Sequence, residues 1–512
     1  MTPAARAGLL LCWLPVMVVF GALYLTIPPS PDQSQFDWMA FIAIRGQPYY
    51  AGSFDMNWPG AMMLHEAGIR LFGVYAWTWR LTDFLLLMGF TAVGAVFFAR
   101  SNWRLASLLF LFLYPPLYIT SGGWMAGQRD IVATGFLLVA SLLALPGWRR
   151  EGLAMAGAGA AIAVAILIRP TFLSFLAGLA LVELLPLTLQ HARRSGRGTR
   201  LLRLGMGFGA VIATVIIAGV LLGNIDDFYA QSVQFALSVY AGDPPQDWRD
   251  TLHLLFLRSW HWIAALALLG AAAWLWRDRA GFALFLLLGI MATNALSFIV
   301  QDKGFAYHLG GLLPVMVLFS AAAFDMLLRV RQQTSGAARL FTTAVLLLAA
   351  LVTLAGTGKK LLSLTDGAEM LIAGDIGPSG GYGLSEGERR EIVALIRAGS
   401  TASDTVAVYG THYDLPYRAQ RPPPYRYFTP AAELVHPGFA QYEAWLAEID
   451  GGLSERPPAF VIVDRRFIAG APERPTPAMR DRVILARLID HLAVGYEVAL
   501  VNESLVVYRA LR

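Results

Sequence analysis

Over its first 360 residues the chain alternates long apolar runs with short polar gaps. Then it changes character. A helix crosses a bilayer with about 20 apolar residues. Eleven runs reach or approach that length: 8–27, 80–99, 104–120, 129–146, 153–168, 171–189, 204–223, 254–276, 281–299, 308–328 and 340–357. Arg169-Pro170 divides the fifth run from the sixth, so the two read as separate spans, or as one bent or re-entrant element. The first run is longer than the apolar core of a signal peptide, about 7–15 residues. Pro28-Pro29 ends it and no small-residue cleavage motif follows, so it reads as a retained span.

Three segments break the membrane pattern. Pro28–Trp79 is a long loop, polar and aromatic at first, then amphipathic over Gly60–Phe72. That spacing predicts a helix lying at the membrane interface, with Met63, Ile69 and Phe72 toward lipid and His65, Glu66 and Arg70 toward water. Asn224–Asp250 predicts a helix over Phe228–Tyr240 and a Gly-Asp-Pro-Pro turn at 242–245. From Leu361 onward charges and prolines return. Thr405–Tyr409 and Phe460–Val463 read as buried strands, and Glu497–Val501 with Leu505–Tyr508 as a hairpin. Ser385 with Glu388 is a capping box that opens a helix through about Ala398, and Pro477–His491 is helical. The predicted fold class is a polytopic α-helical membrane protein of eleven transmembrane helices with a small C-terminal α/β domain. Residues 1–360 form the membrane part, with 28–79 as its first external loop, and 361–512 form the appended domain.

Composition narrows the class. The 512 residues are 56% hydrophobic and 15% charged, with a mean hydropathy of +0.54. A soluble chain carries about 25% charged residues, so a soluble protein is excluded, and so is a disordered one. One cysteine, Cys12, excludes a disulfide scaffold. The formal charge of +5 does not mark a nucleic-acid binder, because the arginines sit in gaps between apolar runs. With the N-terminus in the cytoplasm, fifteen arginines fall in short cytoplasmic loops, among them Arg100, Arg149, Arg194 and Arg331. Seven arginines and Lys303 fall on the other side. This bias predicts a multi-pass inner (plasma) membrane protein whose C-terminal domain is extracytoplasmic, in the periplasm.

Charges near a bilayer are costly and mark function. Here they gather at the external ends of the spans: Asp32, Asp37 and Asp55 in the first loop, Arg80 and Asp83 opening the second span, Arg129 and Asp130 opening the fourth, Arg169 between the fifth and sixth, and Lys303 and His308 around the start of the tenth. Carboxylates suit base chemistry on a hydroxyl or amine. Arginine and lysine suit a phosphate. A membrane-embedded, phosphorylated substrate, such as a polyprenyl-phosphate sugar, fits both. No glycine-rich nucleotide loop is present.

The order of these residues resembles the GT-C glycosyltransferases, in particular the branch of the lipid A aminoarabinose transferase and the protein O-mannosyltransferases. The matching positions are Asp32, Phe36, Ala40 and Gly46, then Asp55-Met56-Asn57-Trp58-Pro59, Leu71-Phe72-Gly73 and Arg80. Further along come Gly127-Gln128-Arg129-Asp130, and Gln301-Asp302-Lys303 through Tyr307-His308 and Pro314. Gln33 stands where many members have a second acidic residue, and Asn57 where a lysine often precedes the proline. The resemblance implies an inverting hexosyl- or pentosyltransferase that uses a polyprenyl-phosphate sugar donor and a lipid, glycan or protein acceptor. It implies Asp32 and Asp130 as catalytic residues. Arg129, Lys303, His308, Arg80 and Arg169 would hold the donor phosphate, and Asp37, Asp55 and Tyr307 would contact substrate. Asp37 is the alternative base.

Other readings of the same residues stand beside these. Asp32 could cap its helix, Arg80 could pair with Asp83, and Arg129, Asp130 and Arg169 could anchor helix ends at the interface. No cofactor is required, although His65-Glu66 with His253 or His261 offers a divalent-metal alternative. Trp58, Trp77, Trp79 and Trp124 read as interface-belt residues. The C-terminal domain carries no evident catalytic constellation. A rival function is a secondary transporter for an anionic solute, which predicts paired repeats and a site at the bilayer midplane. A non-enzymatic assembly or sensor protein would not need the clustered charges.

Overall fold

The computed structural model describes residues 3–184, 197–242, 247–278, 281–372, 383–473, 475–478 and 482–511. The chain divides into two compact units, and each is built from separated stretches of sequence.

The first unit, Met1–Tyr24, Asp83–Val215 and Pro244–Asp375, carries most of the apolar helices. Among the described residues six helices are long and apolar enough to cross a membrane: Thr78–Arg100, Glu151–Ile168, Gly198–Leu221, Phe282–Gln301, Leu312–Gln333 and Gly336–Leu361. A seventh span arises if Trp248–Ser259 and His261–Arg277, bent by 83°, count as one. The first expected span is the helix Pro3–Leu25, and shorter apolar helices occupy Arg104–Ile119 and Pro170–Leu184. Length and composition thus support a polytopic protein, with six or seven long spans among the described residues against the eleven expected. The third expected span is a 16-residue helix, Arg104–Ile119, and the sixth, 171–189, extends beyond the described residues. The fourth expected span forms a helix only over Arg129–Ala144.

Close approach of backbones packs these helices. A Cβ on Gly270 would stand 1.8 Å from the Phe319 carbonyl oxygen. A Cβ on Gly159 would meet the Leu204 oxygen at 2.0 Å, and one on Gly207 the Ala156 oxygen at 1.8 Å. Small residues permit such contacts where lipid supplies no hydrophobic driving force. At Arg169-Pro170 the expected break occurs. Proline disfavours helical backbone before it, and Arg169 is extended, with φ −142 and ψ 95. A 3₁₀ turn, Pro170–Phe172, then leads into the helix Leu173–Leu184.

The second unit joins Leu25–Thr82, Ile216–Asp243 and Ile376–Arg512. Its strands are β1 (Val406–Tyr409), β2 (Phe460–Asp464), β3 (Ile468–Ala469), β4 (Thr476–Pro477), β5 (Tyr496–Val501) and β6 (Leu505–Ala510). A four-stranded sheet has the order β1-β2-β6-β5, and β3 and β4 form a separate ribbon. β1 and β2 are parallel, with Val406 opposite Phe460, and the expected β5–β6 hairpin is antiparallel. β1, at the edge of the sheet, and β2 are both buried along their whole length, which explains their unbroken apolar runs. The capping box forms as expected, with Ser385 and Glu388 exchanging hydrogen bonds at the start of Glu386–Ala398. The last predicted helix is shorter than its pattern, Val483–Leu492, with Pro477 in β4.

One apolar core runs through this unit, so the C-terminal α/β domain is not closed by residues 361–512 alone. Phe36, Trp38, Met39 and Phe41 of the first-loop helix Pro31–Ile44 share it with β1, β2 and β6. Trp38 packs 4.3 Å from Phe428, ring centre to ring centre, and donates its indole N–H to the Arg421 oxygen at 2.9 Å. The middle segment enters through Phe235, which packs edge-on to Phe54 and Phe439. That segment is helical over Ile225–Ser238, although Tyr229–Phe235 is a π-helix. Its expected turn at 242–245 falls mostly outside the described residues.

Candidate active site

The expected residues fall into two groups, one in each unit. In the first unit, Arg129 and Asp130 open the helix Arg129–Ala144. Asp130 is completely buried. The extended backbone at Arg169 turns its guanidinium onto this carboxylate, with Nε 2.8 Å from Oδ1. Arg169 is itself 5% exposed, and its Nη2 has no hydrogen-bond partner among the described residues. His308, on the 3₁₀ turn Ala306–Leu309, is also buried, and its Nδ1 has no such partner. Both Arg169 and Arg129 act on it electrostatically.

Tyr307 borders the same group. It stacks on Phe305 at 5.5 Å and on Trp124 at 6.1 Å, and Arg169 lies within its electrostatic reach. Lys303 is buried in the preceding loop. Asp302 ends the helix before it in a left-handed conformation, φ 45, which turns the chain back at once. Sequence positions near 129, 169 and 305 thus converge. Arg169 keeps one guanidinium nitrogen, Nη2, without a hydrogen-bond partner among the described residues, and a buried donor of this kind calls for an acceptor.

In the second unit the first loop is organised differently from its expectation. Ser30 caps the helix Pro31–Ile44, accepting from Gln33 N, while Gln33 Oε1 accepts from Ser30 N. Capping therefore belongs to Ser30 and Gln33, not to Asp32, which sits half-buried in the first turn. Gln33 stands at the expected second acidic position and serves the box instead.

Asp37 is buried and lies 2.7 Å from His65 Nδ1. Burial pushes its carboxyl above the usual 3.8, and His65 and Arg80 only partly offset this. His65 stacks on Trp79 at 3.6 Å. The helix Gly60–Phe72 has its expected bounds but presents another face. Met62, His65 and Ile69 point inward, while Met63 and Leu71 are exposed. Trp79 is likewise a buried partner of His65 and not an interface-belt residue.

Asp55 accepts from the Asn57 backbone at 2.8 Å and from its side chain at 2.6 Å, and so shapes its own loop. Arg80 is fully buried and donates to the Ile27 and Pro28 oxygens at 3.0 and 2.6 Å. Asp83 accepts from Tyr118 at 2.7 Å and from Tyr24. Among the described residues no group of three His, Cys, Asp or Glu side chains could hold a metal ion. His65 and Glu66 are committed to Asp37, Tyr49 and Arg70.

No family model and no curated protein matches the chain. Solved structures do. ArnT from Cupriavidus metallidurans, bound to undecaprenyl phosphate, superposes with a TM-score of 0.61 over 98% of both chains, at 14% identity. Its apo state gives 0.60 over 98% of both chains, at 15% identity. The oligosaccharyltransferase AglB from Archaeoglobus fulgidus, in complex with an inhibitory peptide and a dolichol-phosphate, gives 0.50 at 11% identity, over 88% of this chain and 69% of that one. The fold is that of the GT-C membrane glycosyltransferases.

Within this GT-C fold, one group of polar residues has no counterpart among the sequence expectations. The loop Gly410–Asp414 after β1 meets Asp464 at the end of β2, beside Arg389 and Arg418. Gly-Thr-His-Tyr-Asp directly after an apolar strand was the available signal, since ligands bind beyond the carboxyl ends of parallel strands.

Proposed function

We propose that the chain is a membrane glycosyltransferase that moves a sugar from a polyprenyl-phosphate donor to an acceptor on the extracytoplasmic face. The observation that carries this reading is the buried Asp130–Arg169 pair, with Arg169 Nη2 and His308 Nδ1 lacking hydrogen-bond partners among the described residues. Such atoms fit phosphate oxygens. The likeness in fold to a protein bound to undecaprenyl phosphate supports the same choice.

In this reading all eleven expected runs cross or enter the membrane, the N-terminus is cytoplasmic, and the C-terminal domain is periplasmic. Arg129, Arg169, Lys303 and His308 hold the donor phosphate. Asp130 acts by fixing Arg169, and Arg80 by fixing the exit of the first span. Tyr307 borders the sugar, and Asp37 and Asp55 shape the loop that bears Asp32. Asp32 accepts the proton of the acceptor hydroxyl as its oxygen bonds to the anomeric carbon. The bond from that carbon to the phosphate oxygen breaks, and polyprenyl phosphate leaves with the electron pair. The cations stabilise the charge that develops there, and the anomeric centre inverts.

Incubating the purified protein with radiolabelled polyprenyl-phosphate sugars tests the proposal. Acceptor-dependent release of polyprenyl phosphate is expected. Uptake of a free anionic solute into proteoliposomes, without such release, would support a transporter instead.

A further inference from the structure

The arginine-rich end of the first unit holds a cleft that the proposed reaction does not use. It opens where the helix Thr78–Arg100 ends and the helix Phe282–Gln301 begins, and its volume is about 320 Å³. Arg100, Asn102, Leu145, Trp274 and Arg277 line it, together with Gly281, Phe282 and Ala283.

Neutral groups position both guanidiniums. Arg100 lies over the Trp148 ring at 4.1 Å and donates to the Pro146 oxygen at 3.0 Å. Arg277 lies over the Trp103 ring at 4.5 Å and donates to the Asn102 oxygen at 3.2 Å. An indole face and a carbonyl hold such a side chain in place without cancelling its charge. No Asp or Glu is among the described residues that line the cleft. Three carboxylates lie elsewhere at this end of the helices, and each has an arginine of its own surroundings: Glu151 and Glu183 meet Arg200, and Asp325 meets Arg329. In sequence Asp278 is followed by Arg279, which adds no net charge. Arg149 and Arg150 follow Trp148 and are exposed.

The helix Phe282–Gln301 adds its own positive end. The first N–H groups of a helix have no intrahelical acceptor, and no side chain caps this helix at Gly281. Trp274, a fully buried ring, brings an indole N–H that has no hydrogen-bond partner among the described residues. Donors and positive charge thus gather around one space, and an anion fits it. The location selects a lipid. Both helices that meet here are long and apolar enough to cross a membrane, so the cleft stands where spans reach the headgroups. Leu275 and Trp276, beside Arg277, are exposed, as suits an interfacial belt. Phe285 and Leu288, one turn apart on the helix that starts at the cleft, are exposed as well and offer acyl chains an apolar surface. A zwitterionic headgroup would bring an ammonium that finds no carboxylate in the lining.

We infer that this cleft binds the phosphodiester of an acidic glycerophospholipid, between Arg100, Arg277 and the N-terminus of the helix Phe282–Gln301. In the orientation proposed above this end is cytoplasmic, where basic pockets between helices meet anionic headgroups. The binding does not depend on the sugar-transfer reading. Full-length protein in detergent is titrated with phosphatidylglycerol and with phosphatidylethanolamine of the same chains, followed by native mass spectrometry. Phosphatidylglycerol should bind about tenfold tighter. Replacing both cations, Arg100→Gln with Arg277→Gln, should weaken it by about tenfold or more, the scale of a lost charge-assisted bond. Arg149→Gln removes one charge outside the cleft and should leave the affinity unchanged. Ala283→Glu places a carboxylate in the cleft at a helix start that favours it, so it tests the site even where the double variant does not fold. It too should weaken phosphatidylglycerol binding. Equal affinity for the two lipids would overturn the site. So would undiminished binding by folded Ala283→Glu, or a loss in Arg149→Gln as large as in the double variant. Glycerophosphoglycerol and inorganic phosphate are titrated alongside. Displacement of the lipid by either at matched concentration would make a soluble phosphate the ligand and overturn the lipid assignment.

Discussion

Asp37 and His65 form a buried pair, 2.7 Å apart, on the helices Pro31–Ile44 and Gly60–Phe72. The imidazole is in turn clamped against Trp79. The pair joins two helices of the first loop and leaves Asp37 committed to structure. Asp32, one and a half turns earlier, lies half-buried in the first turn of the helix Pro31–Ile44.

The two carboxylates should therefore respond differently to the same change. Asp32→Asn should cut sugar transfer by about 10²–10⁴-fold, the range of general-base catalysis, with donor binding and folding retained. Acceptor-dependent release of lipid phosphate measures this. Normal turnover by Asp32→Asn would end the base assignment.

Asp37→Asn should act through stability. Leaving one partner of a buried hydrogen bond incompletely satisfied costs about 1–3 kcal/mol, and the amide retains part of the bond, so the lower end applies. A thermal melt should drop by several degrees. A folded, equally stable Asp37→Asn protein with no activity would instead make Asp37 the base.

Lys303 tests the donor phosphate. Lys303→Ala should weaken binding of a polyprenyl phosphate by roughly 1.5–3 kcal/mol, the scale of a hydrogen bond to a charged group. Equilibrium binding to the lipid in detergent micelles reads it. Unaltered affinity would reassign the phosphate to Arg129, Arg169 and His308 alone.

Asp414 gives a pH dependence with a definite sign. Burial raises its carboxyl, but Arg389 and Arg418 more than offset this, and the net value lies below the ordinary 3.8. A depressed folded value contributes stability above the unfolded value, and that contribution is lost as pH falls through the folded one. Wild-type protein should therefore melt above Asp414→Asn at neutral pH, and the gap should narrow below about pH 4. A gap that stays constant down to pH 3 would contradict the ion pair.

Membrane sidedness is checked at Gly451, where a new side chain would meet open space. Gly451→Cys should react with a membrane-impermeant maleimide added outside spheroplasts. Protection there, with labelling only after lysis, would reverse the orientation read from the arginines.

Local information determined much of this protein. Apolar runs located the membrane helices, because the bilayer imposes length and composition on each helix separately. The capping box at Ser385 and the bounds of Gly60–Phe72 were legible for the same reason, since both depend on residues within a turn or two. The Arg169 break was legible because proline restricts its own neighbour. Tertiary structure decided which way those elements face. The Gly60–Phe72 pattern allowed His65 to face water, and only Asp37 and Trp79, 28 and 14 residues distant, turn it inward. Arg169 and Asp130 meet across 39 residues because two helix ends converge. Thr411 and Asp464 become neighbours through parallel strand pairing, whose register follows from packing on both faces of the sheet. A contact of that kind has no periodicity along the chain, so no window of sequence contains it.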